Sequence, residues 1–178
     1  MDFVKKLALG IVGIVIVLGA VGLVLPSAYK VERSTVINAP AEKIFAYIND
    51  LKMAEQWSPW KQKDASIQNT YSEQSFGVGA KVSWTSKKSG DGTQTLTEST
   101  PYTTIKSDID FGKMGISHCT WTLAPEGNGT KVTWTMSGDQ GRKIIARYFN
   151  LFMDKMVGPD FEKGLQNLKG LLETNPVA

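Results

Sequence analysis

Residues 7–25, LALGIVGIVIVLGAVGLVL, run for 19 positions without one polar side chain. At about 1.5 Å of rise per residue, a helix of that length matches the roughly 30 Å hydrocarbon core of a bilayer. A cleaved signal peptide is the alternative, but its apolar region is usually about 7–15 residues long and ends in a small-x-small site. Here the run is longer, and the best cleavage motif, PSA, puts Pro26 where a small residue belongs. The segment is therefore read as a retained, single-pass anchor. Lys5 and Lys6 precede it, which keeps the N-terminus cytoplasmic and the rest of the chain on the outer, periplasmic side of the cell (inner) membrane. Lys30, Arg33 and Lys43 on the far side weaken that charge asymmetry. Gly10, Gly13, Gly19 and Gly22 lack strict G-x-x-x-G spacing and read as ordinary membrane-helix glycines.

The chain then divides into a cytoplasmic N-terminus (1–6), the anchor (7–25), a short linker (26–28), one domain (29–174) and a tail (175–178). Five Trp, seven Phe and five Tyr supply enough large apolar surface for a core in a domain of this size. Net charge is +3, of which Asp2, Lys5 and Lys6 contribute +1. A remainder of +2, carried by scattered lysines, is no footprint for nucleic acid and no polybasic lipid patch. A single cysteine, Cys119, excludes an intrachain disulfide and any multi-cysteine metal site.

Within the domain the hydrophobic period changes twice. YKVERSTVI (29–37) alternates as a strand, and NAPAEKIFAYIND follows with Asn38 as cap, Pro40 near the first turn and Ile44, Phe45 and Ile48 on one face. A second short helix over 51–56 leads into QWSPW, where Trp57 and Trp60 flank a Ser-Pro turn. From about 65 to 137 the period is two, and FGVG, SGDG, STPY, FGKMG and PEGNG punctuate Thr/Val/Ile/Trp-rich segments. That pattern is one of antiparallel strands joined by hairpins, with Asn128-Gly129 as the clearest turn. The N-x-T sequon there is read as turn chemistry. From Arg142 the period returns to 3.6, with one stripe of Ile145, Phe149, Phe152 and Met156 and another of Phe161, Leu165, Leu168 and Leu172. Gly158-Pro159 is expected to kink or divide that helix. A sheet with one apolar face and a long amphipathic helix must bury them together.

In order and spacing, VERSTVINAPAEKIFAYINDL, WSPW, GVGAKVSW, GTQTLTESTPYTTIKSDIDF, CTWTLAPEGNGTKVTWTMSG and GPDFEKGLQNLKGLLE resemble the START-type lipid-transfer, birch-pollen-allergen and bacterial polyketide cyclase/dehydrase-like superfamily. The resemblance covers about residues 29–174. It implies an α+β helix-grip fold: a curved seven-stranded antiparallel sheet around a long C-terminal helix, with two short helices after the first strand. It further implies a hydrophobic ligand held between sheet and helix, with the segment after the second short helix near one cavity opening. Two indoles there, Trp57 and Trp60, would bury a large apolar area against ligand or helix, as a moving lid or as a fixed plug on Ile145 or Phe149. One fold of this kind carries binding proteins, enzymes and sensors alike.

Few residues are suited to chemistry. One histidine cannot build a three-histidine zinc site. His118 and Cys119 are neighbours on an expected strand, so their side chains leave from opposite faces and cannot act as a nucleophile-base pair. GVGAKV and GNGTKV lack the third glycine of a dinucleotide fingerprint and read as turns. No metal and no cofactor is indicated. Alternation points Val82 and Trp84, Ile105, Ile109 and Phe111, Cys119, Trp121 and Leu123, and Val132, Trp134 and Met136 inward, where they either fill a core or line a cavity. In TQTLTES, Leu96 shares its phase with Gln94 and Glu98. If Leu96 faces in, Glu98 does too, as a weak catalytic or ligand-orienting candidate whose alternative is a solvated strand end. Ser107 is a lesser polar candidate. The ligand-binding candidates are Trp57, Trp60, Trp84, Glu98, Ile109, Trp121, Trp134 and Phe149. The reading placed first is membrane-tethered, non-enzymatic binding of a lipid or other apolar small molecule. A polyketide cyclase/dehydratase-like enzyme and an interaction or stress-response scaffold without ligand are the alternatives.

Overall fold

The computed structural model of the protein describes residues 2–174; the expected tail at 175–178 lies outside them. Helix α1 (Asp2–Val24) carries the apolar run and exposes nearly all of it, being long and apolar enough to cross a membrane. Beyond Pro26 come β1 (Ala28–Ile37), α2 (Ala41–Asn49), α3 (Leu51–Ala54) and α4 (Pro59–Lys63). There are thus three short helices where two were expected. Pro59, with its φ set for a helical first turn and no N–H to lose, starts a separate α4 that contains Trp60.

Six strands follow: β2 (Gln68–Tyr71), β3 (Lys81–Thr85), β4 (Gly92–Thr100), β5 (Thr104–Asp110), β6 (Ile116–Glu126) and β7 (Gly129–Asp139). Each pairs antiparallel with the next, and β1 returns to pair with β7, so the seven-stranded order is β1-β7-β6-β5-β4-β3-β2. The β6–β7 turn is Gly127-Asn128 rather than Asn128-Gly129, because Glu126 pairs with Gly129 and the left-handed φ of 60° falls at Gly127. The registers give the sheet two distinct ends. Ala28 with Asp139, Ile116 with Asp110, Thr93 with Asp110 and Trp84 with Gly92 mark one end, where α1 enters. Ile37 with Thr130 and Thr100 with Thr104 mark the other, where α2 begins.

The C-terminal helical segment divides into α5 (Ile144–Asn150) and α6 (Met153–Glu173), at Leu151-Phe152 and not at Gly158-Pro159. Helix α6 continues through Pro159 because its turn is clamped to the sheet. From β1, Arg33 donates Nε to Glu162 (2.6 Å) and both terminal nitrogens to Asp154 (2.7 and 3.0 Å). The guanidinium lies so close over the helix that a Cβ at Gly158 would stand 2.1 Å from Arg33 Nη2. Further along, Lys169 Nζ donates to the Val36 carbonyl (2.8 Å) and Glu173 accepts from the Asn38 N–H (2.7 Å). The helix therefore runs along β1 from the α1 end to the α2 end.

Its inner stripe of Phe161, Leu165, Leu168 and Leu172 is fully buried against the sheet. Phe161 stacks on Trp134 (centroids 3.9 Å apart, planes 6° apart), Trp134 stacks on Trp121 (5.5 Å), and Trp57 meets Trp134 edge-on (5.6 Å). Ile44, Phe45 and Ile48 of α2 close the core from the same side. A second anchor is polar. Asp64, at the end of α4, accepts from the N–H and hydroxyl of Ser66 and from the hydroxyls of Ser86 and Ser89 in the β3–β4 turn. These bonds favour the ionised form and hold the Asp64 carboxyl well below the usual carboxylate range.

Two outcomes test this account. Phe161→Ala should destabilise the full chain in detergent micelles by about 3–5 kcal/mol in a denaturant melt, because the cavity opens inside a stack that cannot collapse. Asp64 stabilises the fold above the ordinary carboxylate range and loses that contribution as the pH falls below it. Asp64→Asn should therefore lower the melting midpoint at neutral pH and flatten its decline in acid; an unchanged acid slope would remove Asp64 from this role.

Candidate functional site

At the α1 end of the sheet an open pocket of about 580 Å³ is lined by Ser83 and Trp84 of β3, Gly92 and Thr93 of β4, Asp110 at the end of β5, Phe111 and Met114, and by no residue of α6. The pleat sends Val82 and Trp84 inward together, as alternation required, and the Trp84 indole lies across Gly92, where a Cβ would come within 2.3 Å of the ring. Phe111 meets Trp84 edge-on at 6.0 Å, so the floor is one T-shaped aromatic pair. Met114 comes from the 3₁₀ turn Gly112–Met114 and is largely exposed at the mouth. Alternation places Phe111 inward with Ile105 and Ile109, whereas Met114 lies in a segment that reads only as a turn.

The inner face of the sheet carries a short polar line. Gln94 Nε2 donates to Ser107 Oγ (3.0 Å), Tyr29 Oη and Ser117 Oγ share a 2.6 Å hydrogen bond, and both serines are buried. Burial raises the Tyr29 pKa, which keeps the phenol neutral. Two carboxylates stand on the rim, and each is already holding a turn: Asp91 accepts from the Ser86 N–H (3.1 Å) and Asp110 from the Gly112 N–H (2.7 Å).

The candidates from sequence separate into four groups. Trp84 sits in the pocket, and Ile109 is half-buried on the same strand as Phe111's approach. Trp57, Trp121 and Trp134 are buried in the stack under α6; Trp57 is a fixed part of the core, its indole N–H donated to the Tyr47 carbonyl (3.0 Å) and its carbonyl held by Asn167 (3.1 Å). It packs on Trp134 and not on Ile145 or Phe149. The indole N–H groups of Trp121 and Trp134 have no hydrogen-bond partner among the described residues. Trp60 is 37% exposed on α4 beneath the Lys63 ammonium (5.8 Å to the ring centroid), and Phe149 is exposed on α5.

Glu98 does not face in. A β-bulge between Leu96 and Glu98 adds one residue, so Leu96 opposes inward Ser107 while Glu98 opposes Lys106 on the outer face. The Lys106 ammonium, 2.7 Å from the Glu98 carboxylate, holds that carboxyl below its usual range. A strict two-residue period cannot anticipate a bulge, and the expectation fails for that reason. His118 is on the outer face as alternation placed it, exposed and 2.7 Å from Asp108. Cys119 faces the core, and burial pushes its thiol up to about 12. Among the described residues no three His, Cys, Asp or Glu side chains are grouped to hold a metal ion.

A family profile described as polyketide cyclase / dehydrase and lipid transport matches residues 28–173. Several solved structures share the fold at low identity. A Chromobacterium violaceum protein is 19% identical with a TM-score of 0.61, over 83% of this chain and 99% of that one. The Aha1 dimer from Colwellia psychrerythraea is 18% identical with a TM-score of 0.56, over 81% and 96%. The di-domain ARO/CYC protein StfQ of the steffimycin biosynthetic pathway is 11% identical with a TM-score of 0.59, over 83% of this chain and 51% of that one. No curated protein matches the sequence.

The Cys119 environment has a direct readout. With its thiol neutral and buried, Cys119 should resist a thiol reagent at pH 8 in the native protein and react fully once the chain is unfolded. Rapid native labelling would mean that the inner face opens at this strand.

Proposed function

The chain belongs to the polyketide cyclase/dehydrase and lipid transport family, and from that premise we propose that it binds a lipid or other hydrophobic small molecule in the pocket beside Trp84 and Phe111 without transforming it. In this reading residues 7–25 anchor the domain as a single-pass protein of the cell (inner) membrane, with a cytoplasmic N-terminus and the domain outside. The observation that carries the reading is positional. The open pocket with its Trp84–Phe111 floor lies at the same end of the sheet as the apolar helix, so a tethered domain would keep its pocket beside the acyl phase. The aromatic pair favours an apolar, flat or chain-like ligand, and the Gln94–Ser107 and Tyr29–Ser117 pairs further in offer neutral hydrogen bonding to a polar end.

Against turnover stands the distribution of acids and bases. Glu98 and His118 are on the outer face, Cys119 is a neutral buried thiol, and the rim carboxylates of Asp91 and Asp110 are engaged in turns. A cyclase or dehydratase needs a group positioned to move a proton at the substrate.

Native mass spectrometry of the full chain released from detergent micelles, with organic extraction, is the direct test. One apolar species at unit stoichiometry is expected. Trp84→Ala should weaken its retention at least about tenfold, since losing some 60 Å² of apolar contact costs about 1.5 kcal/mol. An empty protein, with unchanged tryptophan emission across fatty acids, phospholipids and isoprenoids, would overturn the proposal in favour of a scaffold. Recovery of a chemically altered ligand would overturn it in favour of an enzyme.

A further inference from the structure

The first C-terminal stripe is amphipathic but faces away from the core. Ile145, Phe149, Phe152 and Met156 recur at helical spacing across the α5–α6 junction and are 77, 59, 53 and 57% exposed. An apolar row of that length on the surface of a protein marks a site where something else covers it. Met114 in the neighbouring β5–β6 turn and Ile116 at the start of β6 are also exposed, and the turn is joined to the start of α5 by Lys143 Nζ on the Lys113 carbonyl (3.3 Å).

What lies beside this surface is α1. Arg147 of α5 donates Nη1 to the carbonyls of Leu23 (2.9 Å), Leu25 (3.2 Å) and Gly22 (3.4 Å), satisfying acceptors that the end of α1 leaves open. Asn150 donates to the carbonyls of Ser27 (2.8 Å) and Pro26 (3.3 Å). Tyr148 Oη donates to the Leu18 carbonyl (2.5 Å), and the side chains of Ile144 and Tyr148 press on Gly22, where a Cβ would meet Ile144 Cγ2 at 2.3 Å. Helix α5 is thus fastened along the last two turns of α1. Leu18 lies seven residues before Leu25, or about 10 Å along the helix axis. If α1 crosses a bilayer, α5 cannot stand clear of its surface.

The charges around the stripe match that setting. Lys113, Arg142, Lys143, Arg147 and Lys155 set five cations around it, none in an ion pair among the described residues, against Asp110, Asp139 and Asp154, the last of which is paired with Arg33. The surface therefore presents apolar side chains with cations in excess at their margin, the composition of an interfacial helix on an anionic membrane. Resting on the anchor reading above, we infer that the α5 stripe, with Met114 and Ile116, is a docking surface that lies in the headgroup–acyl boundary of an anionic bilayer. Met114 belongs both to this surface and to the pocket mouth, so docking seats the mouth at the boundary itself. The source of the ligand is then the lipid phase, reached without passage through water.

The test places single cysteines in the full chain at Ile14→Cys, Phe149→Cys and Asn128→Cys, the last on the turn at the opposite end of the sheet. Each is labelled with an environment-sensitive fluorophore and reconstituted into phosphatidylcholine/phosphatidylglycerol liposomes containing acyl-brominated lipid; Cys119 is shielded by burial. Labels at 14 and 149 should shift to the blue and lose most of their emission to bromine, while the label at 128 does neither. Quenching at 14 with a 149 label that behaves like 128 would overturn docking and leave the anchor standing. No quenching at 14 would overturn the anchor and docking together. A 149 label shielded from iodide but untouched by brominated lipid, with 149–149 disulfides forming between chains, would assign the stripe to a second copy instead. Lys113→Glu with Arg142→Glu should cut the quenching at 149 in phosphatidylglycerol liposomes and leave that at 14 unchanged; equal quenching at 149 would overturn the anionic preference.

Discussion

The stack of Phe161 on Trp134, at 3.9 Å and nearly coplanar, is the contact on which the rest of the domain depends. It joins the middle of α6 to the inner face of β7, and Trp121 and Trp57 extend it into β6 and the segment before α4. A flat sheet could not be gripped this way. The strands must coil so that β6, β7 and the α2–α4 segment converge on one helix, and the aromatic side chains supply the area that makes this favourable. Because these rings fill the space under α6, the open volume is displaced to the α1 end, around Trp84 and Phe111.

That displacement gives the molecule a polarity. At one end of the sheet, tight packing prevails: α2 enters, Glu173 receives the Asn38 N–H, and Thr130 Oγ1 donates to the buried Ala39 carbonyl. At the other end are the pocket, the exposed row of α5 and the apolar helix α1, linked by Arg147, Tyr148 and Asn150. Arg147 and Asn150 donate to carbonyls at the end of α1 and just after it that have no partner within the helix, so the coupling of helix and domain is chemically specific. A pocket at this end would be placed arbitrarily in a free-floating domain. In a tethered one it is the end nearest lipid.

Polar groups divide in the same manner. Asp64 draws three serine hydroxyls and a backbone N–H into one buried node that ties α4 to the β3–β4 turn. Arg33 ties β1 to α6 through two carboxylates. Asp64 holds the turn that leads to Asp91 and Gly92 of the pocket, whereas Arg33 holds two elements that do not line it. The outer face of the sheet keeps Glu98 with Lys106 and His118 with Asp108, solvated pairs of the kind that contribute little to stability.

By itself, the sequence determined whatever depends on local period and composition. The 19-residue apolar run, the two-residue alternation that turns Trp84, Trp121 and Trp134 to one face, and the buried stripe of Phe161, Leu165, Leu168 and Leu172 follow from side-chain spacing along one element. So does the outward placing of His118. Tertiary structure decided what depends on contacts between distant elements. It sent the Ile145–Met156 row outward although its spacing equals that of the buried row, because α1 and the sheet were already covered by other faces of the helix. It carried α6 through Pro159, since Arg33, some 126 residues earlier, clamps that turn. It turned Glu98 to solvent through one bulge residue, and it closed the space under α6 with rings while leaving it open beside Trp84. Period tells a residue which neighbours share its face; only the assembled chain tells that face what it meets.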